Sequence, residues 1–247
     1  MNKLKDYEAM KGIISLTHQG VVPISYSPVL EEVTNFIYIF HMPAFVAITG
    51  GVYYFVKRER GKYNDQLEFI KNKFKRLIIP FIFFSLTIVM PVMLYIGLLD
   101  SILWFLIKEV VLGAPNTHLW YSIMIFVTFV LFNFLEDKIY RTTERMNWFV
   151  FSMLNIFSLF IPNVFQAMNV LKYLIFFYAG YWFQKNRSNV NIKTDKSLIY
   201  SITATLVSYV ILFHSPLQDI TVVNKVVQLI GGLSGTFMLY IFSELFS

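Results

Sequence analysis

Apolar residues gather into long runs at 36–56, 77–99, 118–135, 147–163, 170–184, 197–214 and 222–246, separated by short polar stretches. A helix needs around 20 residues to cross the hydrocarbon of a bilayer, so each run predicts a crossing, the shorter ones borrowing interfacial residues. Between the second and third runs, 101–112 carries Lys108 and Glu109, is too short to span, and reads as an interfacial or re-entrant helix. The pattern predicts an all-α fold, a polytopic transmembrane bundle of about seven to eight spans in a single membrane domain over 1–247.

The polar segments set the expected orientation. The stretch from Lys57 to Arg76 holds eight Lys/Arg, that from Lys138 to Arg145 three, and that from Lys185 to Lys196 four. They alternate with segments nearly free of base, so the positive-inside rule makes 57–76, 138–145 and 185–196 cytoplasmic. Lys3, Lys5 and Lys11 would also stay inside, which requires one further crossing within 12–26. That segment is short and contains His18, Gln19, Gly20 and Pro23, so it reads as a broken segment packed in the bundle or as a displaced amino terminus.

Composition agrees with a cell-membrane location. Of the 247 residues, 56% are hydrophobic and 15% charged, against about 25% charged in soluble domains. The absence of cysteine excludes a thiol nucleophile, a protein thioester, a zinc–thiolate site and a disulfide framework. The net charge of +6 is confined to a few loops, which topology explains without a nucleic-acid partner.

Within this frame a few side chains could carry chemistry. His41 sits in an uncharged aromatic run, Phe40-His41-Met42-Pro43-Ala44-Phe45. An ionisable group at that depth costs about 2.5–3.5 kcal/mol on insertion scales and usually serves a pathway or a reaction. Pro43 removes a backbone donor and is expected to kink the helix beside the imidazole, opening room for a ligand or a helix. A structural hydrogen bond to a neighbouring helix is the competing role for His41. His118 opens a run in His118-Leu119-Trp120-Tyr121, as part of a site or of an aromatic belt, and His214 closes another as an interfacial helix end. Metal binding is not expected: no two histidines are four apart, and no Asp or Glu falls inside the apolar runs except Glu244. Near the amino end, Lys11 and His18 are seven apart and share a face if helical, with Glu8 just before them. Gly231, Gly232 and Gly235 read as helix-packing positions.

Taken in order, Phe40-His41-Met42-Pro43-Ala44-Phe45 with Ile48-Thr49-Gly50-Gly51, then Lys75-Arg76-Leu77-Ile78-Ile79-Pro80, His118-Leu119-Trp120-Tyr121 and Phe176-Phe177-Tyr178-Ala179-Gly180-Tyr181 resemble segments of the acyltransferase-3 family. The resemblance implies a membrane O-acyltransferase that takes an acyl group, usually acetyl, from acyl-CoA and passes it to a hydroxyl of a cell-surface or exported carbohydrate or glycolipid. Acyl-CoA would be a donor substrate, with no cofactor bound. It implies His18 as general base, Lys11 as donor-binding or oxyanion-stabilising cation and Glu8 orienting Lys11. His41 and Arg76 would line the route, and His118 and Trp120 the outer mouth, where a sugar could stack. The chain departs from the family in two places. Six residues separate Lys11 from His18, about one helical turn fewer than the family spacing, and the carboxy-terminal spans are fewer. A transporter or export accessory without the chemistry, or an inactive remnant, is the reading from another class.

Overall fold

The computed structural model describes residues 28–62, 65–95, 101–112, 119–187 and 194–245, and among them there are helices and no strands. Helix α1 (Pro28–Tyr54) ends in a π turn, Phe55–Glu59. Helix α2 (Gln66–Phe84) starts at Asp65, whose carboxylate accepts from Leu67 N at 2.9 Å, and continues through a π turn, Ser85–Val89, to Tyr95. The short α3 (Ile102–Phe105) runs into a π turn, Leu106–Val111, which matches the short helix expected over 101–112. Then follow α4 (Trp120–Arg141), α5 (Glu144–Phe157), α6 (Ala167–Lys185), α7 (Thr194–His214) and α8 (Thr221–Leu245).

Among the described residues, four helical stretches are long and apolar enough to cross a membrane: Val29–Glu59, Gln66–Tyr95, Lys196–His214 and Thr221–Ser243. The apolar runs pointed to more. Part of the reason is length, since the 14 residues of α5 rise only about 21 Å, well short of the hydrocarbon layer. Part is polarity, since α4 extends past its apolar run and takes Asn133 and Glu136 into the protein interior. On the outside, α2 leaves Ile79, Phe83, Phe84, Ile88 and Val92 exposed, a face that needs lipid rather than protein as its cover.

Helix α6 is the centre of the bundle. Its residues Val170, Leu174, Phe176, Phe177, Tyr178 and Tyr181 are all buried, and a helix apolar around most of its circumference is one surrounded by others. It packs along α1, α4 and α5, while α8 lies against both α1 and α7. The α1–α6 crossing is backbone on backbone. A Cβ on Gly180 would overlap the carbonyl oxygen of Ala47, and one on Gly50 that of Phe177. The motif segments around Gly50 and Gly180 are therefore two halves of one contact, in which missing side chains let the helices approach. The glycines of α8 act in the same way: a Cβ on Gly232 would stand 2.8 Å from the Phe176 ring and 3.0 Å from Pro43, and one on Gly231 2.8 Å from Ile39 and from Ser208. Packing is thus the role of that glycine cluster. Helix α1 runs through Pro43 as one assigned helix, with the pyrrolidine ring facing α8.

Contacts gather the three basic segments at one end of the bundle. Arg58 reaches Glu136 and Asp137, Gln184 Nε2 donates to Glu59 at 3.0 Å, and Lys185 and Asn186 reach Glu144. At the opposite end, His214 Nε2 lies 3.3 Å from Glu32 Oε2, and Tyr209 OH donates to the same carboxylate, tying the end of α7 to the start of α1. His214 is thus a helix-end residue, half exposed and paired across helices.

Candidate functional site

A cavity of about 520 Å³ opens toward the end opposite the basic segments. Four helices bring its side chains together from the parts of their length nearest that end: Trp120 starts α4, Lys172 and Tyr173 lie in the second turn of α6, Leu212 and Phe213 close α7, and Lys225 and Gln228 lie in the first two turns of α8. His41, Met42 and Pro43 of α1 and Asn155 of α5 add to the wall. The volume falls in the range of small-molecule sites, roughly 300–1,000 Å³.

The walls combine aromatic surface with polar groups that the protein leaves unused. Trp120 and Tyr173 stack with ring centroids 5.9 Å apart and planes 28° apart, giving the wall a flat apolar area. Tyr38 packs edge-on against the imidazole of His41 at 4.6 Å. His41 Nδ1 is buried and has no hydrogen-bond partner among the described residues, so the structural bond that competed with a site role for this histidine is absent there at that nitrogen. Asn155 Nδ2 donates to the backbone oxygen of Lys172 at 2.6 Å, which holds that turn of α6, while its Oδ1 is buried and unpaired. Buried polar atoms without partners cost about 1–3 kcal/mol each, and their convergence on one cavity is what a ligand site requires.

Of the residues expected at a site, the structure brings His41 and Trp120 together in this cavity. Arg76 is exposed on α2 and is not part of the wall. Glu8, Lys11, His18 and His118 lie outside the described residues, as does the segment 12–26. Sequence reasoning missed Asn155, Lys172, Tyr173 and Lys225. A lysine near a helix end usually extends its amine to the interface, so nothing local marks Lys172 or Lys225 as part of a site.

A second polar cluster, also missed, lies at the basic end. Glu136 is 1% exposed and receives Lys57 Nζ and Arg58 Nε at 2.7 Å each, with Tyr53 OH at 3.2 Å and Tyr181 OH at 3.4 Å. Lys57 also donates to Asn133 Oδ1. The π turn over Phe55–Glu59 explains how neighbours Lys57 and Arg58 both reach one carboxylate: a wider turn rotates consecutive residues by less, so they stay on one side. Glu136 lies one residue past the apolar run 118–135, and α4 continues as a regular helix beyond that run and carries this acid inward. Nearby, Trp182 Nε1 donates to Glu144 Oε2 at 2.6 Å and holds that carboxyl below the usual carboxylate range.

Apolar helices long enough to cross a membrane, packed around a polar, partly aromatic cavity, define a membrane protein. The acyltransferase-3 family model, described as an acyltransferase domain, matches residues 9–247, and the chain belongs to that family. No curated protein and no solved structure matches the chain.

Proposed function

We propose that this protein is an O-acyltransferase that moves a short acyl group, acetyl in the simplest case, from acyl-CoA to a hydroxyl of a cell-surface or exported carbohydrate. The observation that carries the reading is the family match over nearly the whole chain, joined to a cavity whose aromatic wall and unpaired polar groups suit a sugar. The positive-inside rule puts the basic end in the cytoplasm, where acyl-CoA is made, and the cavity toward the other side, where the acceptor would be.

In this reading His18 takes the proton of the acceptor hydroxyl, and the freed oxygen attacks the thioester carbonyl. Lys11 faces the negative charge that builds on the carbonyl oxygen, and Glu8 orients Lys11. As the tetrahedral intermediate collapses, the new C–O ester bond remains, the C–S bond breaks, and the proton leaves with the CoA thiol. His41, Trp120 and, from the neighbouring sequence, His118 serve the acceptor, and Arg76 on the basic side serves the donor phosphates.

The test is purified full-length protein in lipid nanodiscs with labelled acetyl-CoA and membrane glycan. Wild type is expected to transfer label, and His18→Ala to lower the rate by about 10²-fold or more, the usual worth of a general base. Zero transfer by both proteins would overturn the catalytic reading. If deletion of the protein in cells changes glycan export while leaving acetyl content per sugar unchanged, a transport role replaces it.

A further inference from the structure

We propose that the cavity selects an acidic acceptor, binding a carboxylate or phosphate of the sugar between Lys172 and Lys225. This rests on the acyltransferase reading for the word acceptor, but the binding itself does not depend on the chemistry.

The argument starts from charge. Lys225 is only 8% exposed, and Lys172, from a different helix, lines the same cavity. Among the described residues the cavity wall contains no Asp or Glu and neither lysine has an ion-pair partner, Lys172 Nζ lying instead over the Tyr173 ring, 5.3 Å from its centroid. The contrast with the basic end is direct: there, Lys57 and Arg58 converge on Glu136. An ammonium group taken out of water is unfavourable until an opposite charge joins it or it gives up its proton. Here the protein provides the cations and leaves a space of about 520 Å³ where the anion would be.

Neighbouring groups narrow the anion to one carried on a sugar. An isolated inorganic anion would leave the rest of the wall unused. A pyranose ring presents a C–H face that suits the Trp120–Tyr173 stack and hydroxyls that suit the two buried atoms lacking partners, Asn155 Oδ1 as acceptor and His41 Nδ1. Lysine amines tolerate several oxyanion geometries, since each is a point charge with rotatable donors rather than a fixed fork. Carboxylate and phosphate therefore share the site chemistry, and the head group of an anionic phospholipid is the other source of the same group.

The experiment measures binding without any acyl donor. Full-length protein in zwitterionic nanodiscs is titrated with labelled glucuronate and, separately, glucose. Glucuronate is expected to bind at least tenfold more tightly, and Lys172→Met or Lys225→Met to remove that preference while Lys225→Arg retains it. Both Met variants are expected to unfold at the wild-type temperature or above, because each replaces a cation that has no ion-pair partner among the described residues by an apolar chain of similar length. Equal binding of the two sugars, or marked destabilisation by both Met variants, would overturn the proposal. A parallel arm adds phosphatidylglycerol to the nanodiscs. If glucuronate fails to bind and Lys225→Met instead lowers retention of that lipid, the anion is a head group and the acidic-sugar assignment falls. The outcomes separate from the transfer assay: selective binding without transfer would remove the catalytic reading alone, and transfer to neutral glycan without selective binding would remove this inference alone.

Discussion

Gly180→Ala is expected to leave little folded protein, and Gly50→Ala to behave in the same way. The added methyl on Gly180 would overlap the Ala47 carbonyl oxygen, and that on Gly50 the Phe177 carbonyl oxygen. Both obstacles are backbone atoms of regular helices, so no rotamer change removes the clash and the two helices must separate along their length. In lipid, helix association depends on close packing, because the surrounding tails are as apolar as the side chains. Overpacking typically costs about 1–3 kcal/mol and occasionally more, and rigid obstacles put these substitutions at about 3 kcal/mol or above. Gly51→Ala is the control, since its Cβ would meet Gly180 O at 3.4 Å, an ordinary contact. Thermal unfolding and gel filtration in detergent would check the set. Normal midpoints for both Gly50→Ala and Gly180→Ala would show that the helices do not cross as described. The crossing also positions the site, because α1 carries His41 and α6 carries Lys172 and Tyr173. A spread helix pair should therefore lose ligand binding even where some fold survives.

This contact illustrates what the chain discloses before its structure is known. Gly50 and Gly180 stand out as members of two motif segments, and the hydropathy pattern puts each near the basic end of an apolar run. What the linear pattern lacks is that these runs are neighbours, because the order in which helices pack is set by side-chain fit between segments more than 100 residues apart. The basic segments were legible for a simpler reason: membrane orientation acts on local charge, and all three gather at one end. His41 was conspicuous as an ionisable group in an apolar run, and it does line the cavity. Lys172 and Lys225 were not, since each sits near the end of its helix, where a lysine ordinarily reaches the interface. Only their convergence gives them meaning. Glu136 was missed through a boundary effect, as apolar runs end at the first acid whereas a helix ends only when its backbone partners do.

Glu136 also carries the second large expectation. Glu136→Ala should destabilise the protein by about 3 kcal/mol, the lower range for breaking a buried ion pair from one side. The carboxylate is 1% exposed, and its removal would leave Lys57, at 17% exposure, and Arg58, at 33%, without the buried acid that joins them. Water can reach Arg58, and Asp137 Oδ1 stays 2.9 Å from Arg58 Nη2, so the loss stops short of that for a fully enclosed pair. Tyr53 and Tyr181 would also lose their shared acceptor. Glu136→Gln should cost less, because an amide oxygen still accepts from the tyrosines while the charge is gone. The cluster joins α1, α4 and α6, so its failure is expected to appear first as proteolysis near the basic end rather than as loss of the distant cavity. Comparing protease sensitivity with glucuronate binding in the Glu136 variants would separate the two ends. If Glu136→Ala unfolds at the wild-type temperature with unchanged proteolysis, the charges are not paired as described. If it abolishes binding while the basic end stays protected, the cluster communicates with the cavity and is more than a local clamp.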